Sequence, residues 1–365
     1  MVSAMRSALL QFYDVYARDL PWRRTRDPYA IWVSEIMLQQ TRVDTVLRYY
    51  DRFLERFPSL QALAVAEQDE VLAAWSGLGY YRRARMLHAG VREVLAHYGG
   101  EVPRDAEARR KLPGIGRYTA GAIGSIAFDQ QEPLVDGNVA RVLCRVLGID
   151  TPVGRADTDA RLWQHAEALC QGPRPGALNQ ALMELGATLC TKATPACERC
   201  PLHAMCVARA EQRQGELPVV RAKRPPRVVS LLMLALLDTP GDAMWLVRGE
   251  GELFGGLWNF PMREGKGLKA ARALLAELAP GVQLEGKASA HFEHVLTHRH
   301  FHVALYVARP PAGVEVPQLP TQRWVSRAQL SSLGVSSLTL KGVTHAFATA
   351  VVRSSRPNKT DRTSL

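Results

Sequence analysis

Apolar residues recur every three or four positions through roughly the first 211 residues and switch to strand-like runs only after residue 227. A helical region followed by a β-rich one is therefore expected. Met5, Leu9, Phe12 and Tyr16 place one amphipathic helix over residues 1–20, closed by Leu20-Pro21-Trp22-Arg23-Arg24. Asp27-Pro28 supplies a cap and a first-turn proline for a second helix running to about Arg48. Further helical patterns cover Leu60–Ala66, Gln68–Ser76, Ala84–His97, Arg117–Phe128, Val139–Leu147, Thr158–Cys170 and Ala177–Leu189. Asp105 is placed to cap a short helix ending at Lys111. Beyond a proline-rich basic stretch, Val228–Leu237 and Ala243–Val247 flank Thr-Pro-Gly-Asp and predict a β-hairpin. One helix over Leu268–Leu278, strands at His300–Ala308 and Arg323–Val325, and short terminal helices follow.

These segments divide the chain into a helical domain at 1–211, an extended linker at 212–227, a β-rich domain at 228–350 and a disordered basic tail at 351–365. The formal net charge of +11, carried mostly by arginine, points to a polyanionic partner. Nucleic acid fits better than a membrane, because the longest apolar run, Val228–Leu237, is too short to cross a bilayer. No apolar signal core follows the N-terminus, so a cytoplasmic, reducing setting is expected. Spaced thiols then point to metal. Cys190, Cys197, Cys200 and Cys206 lie in one short stretch interrupted by Pro195 and Pro201. Tetrahedral zinc and a [4Fe–4S] cluster both take four cysteines, and the single short Cys-x2-Cys pair favours iron–sulfur. Cys144 and Cys170 sit alone in helical patterns and read as core.

Leu112-Pro113-Gly114-Ile115-Gly116 joins two helices by a glycine turn, which presents backbone N–H groups at a helix start and suits a phosphate. Asp136 opens the next helix. Within the second helix, Glu35 falls on the side of the apolar stripe, where lost solvation raises a carboxyl pKa. Gly77-Leu78-Gly79-Tyr80-Tyr81-Arg82-Arg83 offers aromatic and cationic groups for bases and phosphates.

In order, the segments Trp32-Val33-Ser34-Glu35-Ile36-Met37-Leu38-Gln39-Gln40-Thr41, Gly77 to Tyr81, Leu112 to Ala122, Val135 to Val139 and the four cysteines resemble the helix–hairpin–helix DNA glycosylase superfamily, and within it the adenine DNA glycosylases (MutY family). The resemblance spans about residues 4–345. It implies an all-helical, two-lobed glycosylase whose N-terminal helix returns to the cluster lobe, a [4Fe–4S] cluster, and a β-rich C-terminal domain similar to Nudix hydrolases. It also implies a monomer acting on double-stranded DNA, removing adenine mispaired with 8-oxoguanine or guanine. By that match, Gln40, Thr41 and Tyr80 meet the duplex, Gly114 and Gly116 hold phosphate, and Trp22 and Arg23 line the adenine pocket. Tyr118 and Asn138 support the catalytic carboxylate.

The residues agree with such chemistry. Cleaving a purine N-glycosidic bond needs a proton for the leaving base and a negative charge beside an oxocarbenium-like sugar. A desolvated Glu35 suits the acid, and Asp136 at a helix N-terminus suits the anion. The target base must first leave the duplex. The competing endonuclease III type also cuts the strand, which needs an amine nucleophile where this chain has Tyr118. A non-catalytic damage-binding protein would not need both carboxylates, and an electron carrier would not need the hairpin clamp. The C-terminal region departs from the Nudix pattern, since Leu268–Leu278 carries only Glu277, so no pyrophosphate hydrolysis is expected. The family's Phe-Ser-His loop, which reads 8-oxoguanine, corresponds to Leu296-Thr297-His298. The nearby histidines alternate as one face of strands would, and metal is not expected there.

Overall fold

The computed structural model of the protein describes residues 1–220, 225–284 and 286–354. Two compact units emerge. One holds Met1–Ala66 and the chain from Arg83 onward through the cysteine loop; the other holds Glu67–Arg82 together with the described residues from 225. The helical sequence therefore lends one internal segment to the C-terminal unit, which the expected boundary at 211 does not capture.

The first unit contains α1 (Val2–Tyr16), α2 (Pro28–Leu38), α3 (Val43–Arg56) and α4 (Leu60–Val65). After the lent segment, with α5 (Gln68–Ala74), come α6 (Arg82–His97), α7 (Ala106–Lys111), α8 (Arg117–Phe128) and α9 (Gly137–Leu147). α10 (Ala156–Cys170), α11 (Pro175–Thr188) and α12 (Val207–Ala210) complete it. α1 returns to pack on α10 and α11. It ends at Tyr16, short of the expected Leu20, and Tyr16 lies exposed against Phe12 rather than in the core.

The helix expected from Asp27 to Arg48 is two helices. Asp27 caps α2 through the N–H groups of Tyr29 and Ala30, and Pro28 fills the first turn. The break follows Leu38, where Gln40 takes a left-handed conformation (φ 56°). Arg83 closes this end, donating to the carbonyls of Ile36, Met37 and Gln39 and to Thr41 Oγ1. One guanidinium thus satisfies carbonyls that a continuous helix would have satisfied itself. α2 is buried from Tyr29 through Met37, and α8 from Thr119 through Ile126. They pack on each other, and the small residues of α8 admit neighbouring backbone: a Cβ on Gly121 would lie 2.1 Å from the Pro133 carbonyl oxygen.

In the second unit, the described strands form one sheet: β1 (Arg227–Leu237), β2 (Ala243–Arg248), β3 (Trp258–Asn259), β4 (Met262–Glu264), β5 (Ala290–Leu296), β6 (Arg299–Ala308) and β7 (Gln322–Ser326). The order β3-β2-β1-β6-β5 has β1 and β6 parallel, with β4 added to β1 and β7 to β2. A short α13 (Gly251–Phe254) precedes β3. α14 (Gly267–Leu278) packs Ala271, Leu274 and Leu275 on one face of the sheet. α15 (Ser337–Ser354) covers the other with Leu338 and Ala346. Burial on both faces explains why β1 is an unbroken apolar run from Leu231 to Leu237. α15 replaces the expected short helices and carries helical backbone past 351; the rest of the expected tail, 355–365, lies outside the described residues. β5 escapes the sequence pattern because its outer positions are His291, Glu293 and Val295, all exposed.

Candidate active site and metal-binding loop

α2 presents Glu35 inward, 4% exposed, although the residue is ionisable. Tyr118, in the first turn of α8, donates its hydroxyl to Glu35 Oε2 at 2.7 Å. Burial first, and the charge of Asp136 with it, raise the Glu35 carboxyl to about 7 against the opposing effects of Tyr118 and Arg23. Burial next to two carboxylates pushes the Tyr118 hydroxyl well up, so it is a donor.

Asp136 caps α9 as its position suggests. Its Oδ1 accepts from Val139 N–H at 2.7 Å and its Oδ2 from Asn138 Nδ2 at 3.0 Å. Burial nonetheless raises its pKa, a correction to the expectation that the helix terminus alone would favour the anion. The N–H groups of Val139 and Asn138, the Asn138 amide and Arg141 work against that rise. Glu35 has one donor where Asp136 has several, and this difference separates the two carboxyls. Asn138 is held in turn by Arg141, which also donates to the Gly186 and Cys190 carbonyls.

Trp22 is buried in the turn after α1 and meets Tyr50 edge-on. Arg23 donates to Glu184 Oε2 at 2.7 Å, and Arg18 pairs with the same fully buried carboxylate. Glu184 escapes the sequence reading because its partners are distant; its signal is the lone charged residue of α11, on a buried helix face. Arg23 Nε is buried with no hydrogen-bond partner, an open donor on the same residue. Gln40 and Thr41 lie at the sharp break after α2. Gly114 requires its positive φ (79°), and a Cβ there would meet Met86 at 2.7 Å. A Cβ on Gly116 would point into open space, so internal packing does not demand that glycine.

Cys190, Cys197, Cys200 and Cys206 line one small cavity with Arg145, Leu185 and His203, and none is in a disulfide. Arg145 donates to Cys190 Sγ at 3.4 Å and to the carbonyls of Thr191, Lys192 and Leu217. Cys144 and Cys170 are buried core residues, as expected.

The second unit holds the remaining candidates. Tyr80 adopts φ 47° and is 45% exposed, and its hydroxyl lies 2.7 Å from Thr297 Oγ1. Thr297 and His298 form the exposed two-residue turn between β5 and β6. On the sheet's outer face, Glu293, His300 and His302 bring ligand-type atoms within 4.8 Å of one another, whereas His294 falls on the inner side. The histidines thus divide between two faces rather than sharing one. Glu277 on α14 is paired with Arg263. Among the described residues, no helix is long and apolar enough to cross a membrane.

Comparison with known proteins gives a consistent set of relatives. The profile of the HhH-GPD superfamily base excision DNA repair proteins matches residues 33–168, and that of the NUDIX domain matches residues 232–345. An adenine DNA glycosylase of Rattus norvegicus is 38% identical over 92% of this chain and 76% of that protein. Its Homo sapiens counterpart is 37% identical over 92% of this chain and 72% of that protein. The solved structure of a thermostable thymine-DNA glycosylase superposes with a TM-score of 0.53 at 31% identity, over 57% of this chain and 97% of that one.

Proposed function

The chain belongs to the adenine DNA glycosylase family, and from that membership we propose how its residues divide the excision of adenine from DNA. The reading rests on one observation above others: a buried carboxyl raised to about 7, within electrostatic reach of a second, helix-capping carboxylate. Glu35 is the acid that protonates the departing base. Asp136, held by Val139 and Asn138, is the negative charge beside the sugar as the N-glycosidic bond breaks. Water then completes the abasic site. Trp22 and Arg23 line the adenine pocket, where the open Arg23 Nε suits a purine nitrogen. Gly114 and Gly116 hold the phosphate; the empty space at Gly116 favours close approach by a ligand backbone. Gln40 and Tyr80 are each wedges into the duplex, and Thr41 contacts the DNA.

The four cysteines hold a [4Fe–4S] cluster. Zinc sites more often show two short Cys-x2-4-Cys pairs, and this loop has only one, Cys197 and Cys200. A cuboidal cluster takes four cysteines from such a loop, and the Arg145 guanidinium donates to Cys190 Sγ. The cluster braces the loop.

The base opposite adenine is 8-oxoguanine or guanine. A base-release assay on duplexes with adenine opposite 8-oxoguanine, adenine opposite guanine, and oxidised pyrimidines tests the assignment: adenine is released from the first two and the pyrimidines are left. Release of oxidised pyrimidines alone would refute it. With a phenol at Tyr118, the product strand stays intact until alkali treatment. Nicking at the rate of base release, with efficient borohydride trapping, would contradict this prediction.

Thr297 and His298 read the lesion. 8-Oxoguanine carries an N7 proton that guanine lacks, and a hydroxyl can accept from it. The Thr297→Ala/His298→Ala double variant should lose about tenfold of the preference for 8-oxoguanine over guanine, the scale of one such hydrogen bond. Chemistry at a bound adenine should change much less. Deleting the C-terminal unit is a poorer test, because it would strip Glu67–Arg82 of its packing partners. An unaltered preference in the double variant would remove these residues from recognition.

A further inference from the structure

We infer that Asp69 is a specificity-determining positioning residue, fastening the Glu67–Arg82 segment to the C-terminal unit so that Tyr80 stays against Thr297. The inference rests on the reading of Thr297 as a lesion contact. Asp69 lies in the first turn of α5, after a capping box made by Glu67 and Glu70. Its carboxylate, 23% exposed, takes Arg248 at 2.6 Å and Arg323 at 3.5 Å. The indole N–H of the buried Trp258 donates to it at 3.2 Å. Both guanidiniums also lie over the Trp258 ring, at 5.4 and 4.2 Å. A single acid from an N-terminal helix thus neutralises two cations on β2 and β7 and satisfies an indole on β3.

The rest of the segment is tied down apolarly and by one hydroxyl. Leu72 sits so close to Gly334 that a Cβ there would lie 2.4 Å from its own. Tyr81 donates to the Val335 carbonyl at 3.2 Å. Between these anchors, Gly77 and Gly79 take positive φ and Tyr80 follows in the left-handed region, a costly conformation for a tyrosine that its surroundings must impose. Removing the Asp69 charge leaves Arg248 and Arg323 unneutralised beside one ring, and they repel. The segment then loses its only charged anchor among these contacts, and the Tyr80–Thr297 pairing loosens with it.

The test is a double-mutant cycle of Asp69→Asn with Thr297→Ala in the full-length protein. Single-turnover adenine release is compared on duplexes with 8-oxoguanine or guanine opposite adenine. Asp69→Asn should lower the kcat/KM preference for 8-oxoguanine about tenfold while leaving the rate at saturating enzyme within about twofold. Adding Thr297→Ala should cost no further preference, because both changes remove the same contact. Arg323→Gln, at a more exposed partner, serves as a second variant if Asp69→Asn is poorly folded, with a smaller loss in the same direction. An unchanged preference in correctly folded variants, or losses that simply multiply in the double variant, would overturn the inference. If Thr297→Ala alone leaves the preference intact, the reading of Thr297 fails instead, and this inference with it.

Discussion

Glu35→Gln and Asp136→Asn each lose at least about a hundredfold in the single-turnover rate of adenine release, the usual scale for removing a positioned acid or a charge aimed at the transition state. Both substitutions preserve shape. In Glu35→Gln the side-chain amide oxygen would still accept from the Tyr118 hydroxyl, and asparagine is itself a good N-cap, so α9 keeps its start. Duplex binding should stay close to normal, because neither side chain is part of the phosphate-holding turn. Near-normal cleavage by either variant would remove that residue from the chemistry.

Cys197→Ser or Cys200→Ser yields poorly folded protein, whereas the unaltered protein is brown with about four irons per chain and no stoichiometric zinc. The size of this effect follows from the loop's packing. Within residues 191–206, Leu202 is the one buried apolar side chain, so the loop has almost no core to hold it. Apparent metal-binding energies of structural sites, about 10–16 kcal/mol in zinc-finger peptides, rival a whole domain's stability of about 5–15 kcal/mol. Iron analysis and thermal melting decide the matter. One zinc per chain, or a Cys200→Ser protein that melts normally, would contradict the cluster.

The parts of the site legible in the sequence are those whose signal is local. Asp136 is readable as a cap because capping is decided within a few residues, and the four cysteines because a ligand loop is continuous in sequence. Glu35 is readable because a carboxylate in an apolar stripe has few places to go. The missing elements depend on distant partners. Arg83 ends α2 from more than forty positions downstream, so residues 28–48 look continuous. Glu184 gains its meaning from Arg18 and Arg23 in another part of the chain. The attachment of Glu67–Arg82 to the C-terminal unit rests on Asp69, an ordinary surface acid until Arg248 and Trp258 meet it. The Asp136 shift departs from expectation for a related reason: its donors are local, but its burial is tertiary.

The pH dependence of adenine release tests the acid assignment most directly. Glu35 acts in its protonated form, and burial holds its pKa at about 7 in the free protein. The fraction in that form is high at pH 6 and falls as pH rises through 7. On a duplex with adenine opposite 8-oxoguanine, kcat/KM should therefore be near its plateau at pH 6 and decline about tenfold per unit above pH 7. The residual activity of Glu35→Gln should lack that limb. A kcat/KM that holds level or rises between pH 6 and 9, or a Glu35→Gln protein with the same falling limb, would contradict the role given to Glu35.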